Sequence, residues 1–169
     1  MSMNTVIQII ETLSDWSARI SAVMLGLMSV LILVEIFLWN VFEKTTLIAD
    51  EYSAYGLAAI IFLGSGYCLK EKGHIRIPII LHLLPEKPTR VITFAATAVT
   101  TVFMGYIWWY LFKMVQATVR YNSTSGTLTN TPLWIPQSIM LIGAACFLVQ
   151  MIGTTLRTYR AIGTGEEAV

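Results

Sequence analysis

Charge is confined to short stretches of this chain, and the long intervals between them constrain the fold most. Ile20 to Phe42 carries one charged residue, Glu35, while Tyr52 to Leu69, Val91 to Phe112 and Ile139 to Leu156 carry none. About 20 apolar residues in a helix cross the roughly 30 Å hydrocarbon layer of a bilayer. Each interval is therefore long enough to span. Only 12% of the 169 residues are charged and 56% are hydrophobic. That is about half the charge of an ordinary soluble domain, so lipid is the solvent this composition fits. The expected fold is all-α and integral to the membrane. Four transmembrane helices are placed at about 18–42, 50–69, 91–113 and 133–156 of a single domain covering residues 1–169.

The segments between the spans have their own character. Val6, Ile9, Ile10, Leu13 and Trp16 recur at helical spacing among Gln8, Glu11, Thr12 and Asp15. This predicts an amphipathic helix over 4–16, lying at the membrane surface as a lead-in. Met1 to Trp16 has no Lys or Arg, unlike the basic start of a cleaved signal peptide. Between the second and third spans, Lys70, Glu71 and Lys72 end an apolar run, Gly73 and His74 turn the chain, and Ile75 to Leu84 is apolar up to Pro85. Too short to cross, this piece is expected to be an interfacial amphipathic helix over about 75–84, with Pro78 in its first turn.

Orientation follows from the basic residues. With the N-terminus inside, eight of the eleven Lys and Arg residues fall on the inner side and Lys44, Lys113 and Arg120 on the outer. Cytoplasmic loops carry the excess of positive charge, so both termini are expected in the cytoplasm. Trp108, Trp109 and Tyr110 mark one end of the third span as a boundary, and Trp134 marks the start of the fourth.

Single residues stand out against this background. Glu35 is a carboxylate within an apolar run, costing about 2.5–3.5 kcal/mol at mid-membrane on insertion scales. It is either a contact to a partner helix or an ion or proton site, or else it lies close enough to the end of its span to reach the headgroups. Asp50 and Glu51 suit the N-terminus of the second helix as caps. Ser53, Gly56, Gly64 and Ser65 on the second span, and Gly143, Ala144, Ala145 and Gly153 on the fourth, offer faces for close helix approach. Cys68 and Cys146 sit in apolar runs, where cysteine is a small packing residue, and their different expected depths argue against a disulfide.

Several functions are disfavoured. The charge forms no basic patch for nucleic acid. No C-x-x-C, metal-ligand spacing or phosphate-binding glycine loop occurs, and no nucleophile–base pair suggests an enzyme. No cofactor is expected. His74 and His82 raise the alternative of a haem-anchoring subunit of a redox complex, but both fall in one connection instead of on facing spans. The spans show neither the repeated halves nor the broken helices of a self-sufficient transporter, which also disfavours a free-standing exporter. The residues read as an accessory membrane subunit.

Over about residues 15–157 the chain resembles the small membrane subunit of tripartite ATP-independent periplasmic (TRAP) transporters. The resemblance rests on Asp50-Glu51, Phe62-Leu63-Gly64, Gly73-His74-Ile75-Arg76-Ile77, Leu84-Pro85, and Pro132-Leu133-Trp134-Ile135-Pro136 followed by Gly143. Pro78 stands where the family commonly has an acidic residue. The resemblance implies a subunit of the bacterial inner membrane that braces a large transmembrane transport subunit. It also implies a periplasmic substrate-binding protein as partner, and sodium-driven import of organic acids. Asp50, Glu51, Gly64, Gly73, His74, Arg76 and Pro85 are then motif positions. Glu35, Glu43, Lys44, Arg120, Asn122 and Trp134 are the candidates for partner contact, beside membrane lipid itself.

Overall fold

Chains this apolar satisfy their backbone polar groups within helices, because lipid supplies no hydrogen bonds. The computed structural model describes residues 3–71 and 85–164. It has four helices: α1 (Met3–Phe42), α2 (Ala49–Lys70), α3 (Glu86–Arg120) and α4 (Trp134–Thr164). All four are long and apolar enough to cross a membrane. Each expected span lies within one of them, save Leu133, which precedes α4. The interfacial helix expected over 75–84 lies outside the described residues, as do Gly73, His74, Arg76 and His82.

The N-terminal segment differs from expectation. Residues 4–16 are not a separate lead-in, because α1 runs unbroken for 40 residues, about 60 Å at 1.5 Å per residue. Nothing in the sequence breaks it: Met3 to Phe42 contains no proline, and its one glycine, Gly26, is mid-helix with open space around it. The apolar residues of this segment divide between two faces. Ile9, Leu13 and Trp16 are exposed, while Ile10, Ser14 and Ser17 are buried.

The covered face of α1 follows a heptad. From Ser21 to the end of the helix the only covered side chains are Ser21, Met24, Met28, Leu31, Glu35 and Leu38. These alternate in steps of three and four, and Ser17, Ser14 and Ile10 continue the series backwards. α3 shows the same period in Phe94, Thr97, Thr101, Met104, Trp108, Leu111, Val115 and Thr118. A repeat averaging 3.5 keeps one narrow seam facing a neighbour, as in left-handed helix pairs.

The neighbours form a row more than a closed bundle. α1 packs on α2, α2 on α4, and α4 on α3, with a lighter contact between α1 and α4. α4 is therefore central, and α3 rests on it alone among the major contacts. The outer sides of α1 and α3 remain uncovered, with Leu33 64% and Val102 75% exposed.

Small residues set the inner spacings. A Cβ on Gly143 would stand 2.7 Å from the Phe62 carbonyl carbon and 2.8 Å from the Leu63 nitrogen, so α4 touches the backbone of α2 there. Ser21 Oγ donates to the Ile60 carbonyl at 2.9 Å, beside Gly64. Ser14 Oγ donates to Gln150 Oε1 at 3.0 Å. On the other flank, Thr101 and Thr155 pair at 2.8 Å, Thr97 and Thr158 at 3.3 Å, and Trp108 Nε1 donates to the Leu141 carbonyl at 3.3 Å. Trp108 thus packs into α4, and only Trp109 and Tyr110 face outward, with the Lys113 ammonium over both rings. Both cysteines are free. The expected difference in depth does not hold, because a Cβ on Gly66, two residues from Cys68, would lie 3.7 Å from the Cys146 carbonyl oxygen.

Candidate functional site

The ends of the helices hold the charged groups, and two layers emerge. In the first, Lys70 Nζ meets Asp15 Oδ1 at 2.5 Å, and the Arg157 guanidinium pairs with Glu11. These two ion pairs tie the beginning of α1 to the ends of α2 and α4. In the second layer, Glu35 and Glu51 each gather a loop. Along α1, Asp15 and Glu35 are separated by about 30 Å of helix, and along α2, Glu51 and Lys70 by about 28 Å. Each separation equals one hydrocarbon thickness. A hydrocarbon layer therefore fits between the two levels, with Glu35 at one of them.

Glu35 neither points to a neighbouring span nor extends freely outward. Its carboxylate accepts from the Thr45 and Thr46 hydroxyls, and from the Thr46 backbone N–H at 3.0 Å. The turn that brings these donors back begins at Glu43, whose φ of 51° is in the left-handed region. Glu43 N donates to the Trp39 carbonyl at 3.1 Å and Lys44 N to the Leu38 carbonyl at 3.5 Å. The Glu43–Trp39 bond is the single five-to-one bond of the αL helix end, a motif that usually places glycine at the turning position. Glu35, Trp39, Asn40, Thr45, Leu47 and Asp50 line an open recess of about 380 Å3 beside this loop, with Ile36 and Ala49.

The acidic pair divides its labour. Neither acid caps α2: the N-cap is Ile48, without a side-chain hydrogen bond. Asp50 is exposed. Glu51 is buried, and its carboxylate accepts from the Tyr55 hydroxyl at 2.8 Å and from the hydroxyls of Thr127 and Thr129. Both threonines belong to the connection between α3 and α4. That connection is a small hairpin, with a bridge between Thr124 and Pro132 and with Leu133 N donating to the Ser123 carbonyl at 3.1 Å. Thr131 N reaches Ser125 Oγ at 3.0 Å, and Thr131 lies 3.4 Å from the Tyr52 hydroxyl. The signal for this clamp is in the sequence as four hydroxyls within seven residues, Ser125, Thr127, Thr129 and Thr131; they converge because the chain turns back between Thr127 and Asn130, where Asn130 N donates to the Thr127 carbonyl at 3.2 Å. Read only as a polar loop, that convergence is lost.

The remaining candidate residues are dispersed. Asn122 has φ 47° and serves the turn out of α3, where Ser123 N donates to the Thr118 carbonyl at 3.1 Å. Lys44 and Arg120 are exposed, Trp134 opens α4 partly exposed, and Pro85 is the N-cap of α3. Gly64 lies at the α1–α2 contact described above. The structure thus joins Glu51 to the hairpin and Glu35 to residues 45–46, but does not unite the candidates in one pocket.

Four membrane-length helices, fastened at two charged levels and packed between them through serine, threonine, glycine and alanine, define a multi-pass membrane protein. Residues 28–161 match the family described as tripartite ATP-independent periplasmic transporters, DctQ component. The chain belongs to this family, and so is a small membrane subunit of a TRAP transporter. The family works as part of a tripartite complex with a large membrane subunit and a periplasmic binding protein, and is a transporter component, not an enzyme family. Comparison with curated proteins gave no significant match.

Proposed function

We propose that this chain is the static brace of a sodium-coupled importer of organic acids in the bacterial inner membrane. Both termini face the cytoplasm, and the Glu35 and Glu51 layer faces the periplasm. The brace holds the large transport subunit and contributes surface on which the substrate-binding protein docks. The observation that carries this reading is the arrangement of polar groups along the helices. Ion pairs and carboxylate clamps lie at the two boundaries, and the contacts between them are the tight Gly143, Ser21 and Thr101 seams. Such seams resist sliding, because packed interfaces move between discrete arrangements and not continuously. The broad uncovered sides of α1 and α3 provide the apolar area that a large membrane partner and lipid would share.

The test is uptake of a labelled organic acid into proteoliposomes under an imposed sodium gradient. The complete set of three components should transport. Omission of this chain should abolish uptake. Uptake by this chain alone would refute the bracing role, and equal uptake without a sodium gradient would refute the coupling.

A further inference from the structure

The outer end of α3 continues past its boundary. Lys113, with its ammonium over Trp109 and Tyr110, marks the lipid edge. Arg120 lies seven residues further on, about 10 Å along the axis. The headgroup region adds only about 5–7 Å on each side of the hydrocarbon, so Arg120 stands clear of it. Gln116, Arg120 and Tyr121 are exposed there around a shallow recess of about 400 Å3. Among the described residues no carboxylate pairs with Arg120. Next to this helix end is the hairpin that Glu51 pins. Its hydroxyls turn inward to the carboxylate, and its apolar tip turns outward: Leu128 is 79% exposed and Tyr121, at its base, 74%. A water-facing loop with polar groups inside and a leucine outside is the reverse of the usual polarity. An exposed Arg with a Tyr and a fixed apolar side chain is the composition of a protein interface. The pinned hairpin also lowers the ordering cost of binding.

We infer that Arg120, Tyr121 and Leu128, presented by the end of α3 and the Glu51-pinned hairpin, form a docking platform for an acidic surface patch with an apolar centre on a soluble extracytoplasmic protein. This rests on the topology and the docking role proposed above, with the binding protein of the same tripartite system as the occupant. The Arg120 guanidinium would steer approach, and Leu128 with Tyr121 would set residence time.

The test uses the complex of this chain with its large subunit, in nanodiscs of phosphatidylcholine, with the binding protein as analyte. Labelling of an Arg120→Cys variant by a membrane-impermeant maleimide on intact spheroplasts is expected. Its failure would sink the topology and, with it, the premise of the platform. In variants that still co-purify with the large subunit, Arg120→Glu should slow association about tenfold at low salt, with the gap closing at high salt. Leu128→Ser should speed dissociation about tenfold. Wild-type rates for Arg120→Glu and Leu128→Ser, in a correctly labelled chain, would overturn the platform and leave the topology standing. An Arg120→Glu effect seen only in nanodiscs containing anionic phosphatidylglycerol would overturn it too, by assigning the arginine to lipid.

Discussion

Replacing Gly143 by alanine tests the packing of the whole row, because α4 is the helix all others lean on. The added Cβ would lie 2.7, 2.8 and 2.9 Å from Phe62 C, Leu63 N and Phe62 Cβ. Favourable carbon contacts lie at about 3.5–4.0 Å. Two of the three blocking atoms are backbone and cannot rotate away, so α2 and α4 must separate by about 1 Å. Overpacking of this kind costs about 1–3 kcal/mol, and the helical preference of alanine over glycine returns about 0.5–1 kcal/mol. The net expectation is a loss of up to about 2.5 kcal/mol, and one of about 1–3 kcal/mol relative to an unobstructed Gly→Ala change, larger for Gly143→Val. In lipid there is no hydrophobic drive to restore the contact, since association depends on close packing itself. Gly56→Ala should cost less, because what it meets is the sulfur end of the Met28 side chain, which can swing aside. Gly105→Ala and Gly26→Ala, with nothing within 4 Å, should be neutral or stabilising. The assay is equilibrium unfolding of the purified protein from mild detergent into SDS, followed by tryptophan fluorescence. If Gly143→Ala unfolds at the same SDS fraction as Gly105→Ala, the close crossing is not present and the reasoning fails.

Two further expectations concern the loops. Glu43→Gly relieves a left-handed residue at the end of α1 and should stabilise by about 1 kcal/mol in the same SDS titration, and a loss of stability would show that the side chain has a contact the turn does not reveal. Glu51→Gln removes the charge that two threonine hydroxyls and Tyr55 converge on, and hydrogen bonds to a charged group are worth about 1.5–3 kcal/mol. Amide exchange across residues 123–133 should accelerate about tenfold or more while the seams stay protected, and unchanged exchange would exclude the carboxylate as the pin.

What could be read from the sequence depended on whether a residue differed from its surroundings. The four spans were legible because charge is absent from them for long enough. Gly143, Gly64 and Ala144 were legible because smallness is how a membrane helix marks a contact. The heptad of α1 was not: when nearly every side chain is apolar, period carries no contrast, and the seam residues Ser14, Ser21, Met28 and Glu35 share spacing without sharing chemistry. The apolar residues Ile9, Leu13 and Trp16 were read as the face of a separate surface helix; they do face outward, but on the first turns of one continuous α1. Glu35 lies seven residues from the end of α1. Its partners lie ten and eleven residues onward, beyond the helix turn at Glu43, where helical spacing no longer predicts contact. Glu51 was read as a cap because its position allows it. Its burial against a hairpin more than seventy residues away depends on which helices are neighbours, and that follows from packing that only the assembled row defines.

The two charged levels give the protein a built-in gauge. Each pair of marks, Asp15 with Glu35 and Lys70 with Glu51, is joined by uninterrupted helix, so the distance between them cannot stretch to suit the host bilayer. A membrane a few ångströms thicker would draw a carboxylate clamp or an ion pair into oil. A thinner one would bare leucines and valines to water. Either mismatch costs a fraction of a kcal/mol per ångström, and tilting relieves only the thin case. If the chain braces its companions as proposed, it would also set the depth at which they float, and the thickness of the surrounding lipid would become a working parameter of the machine it serves.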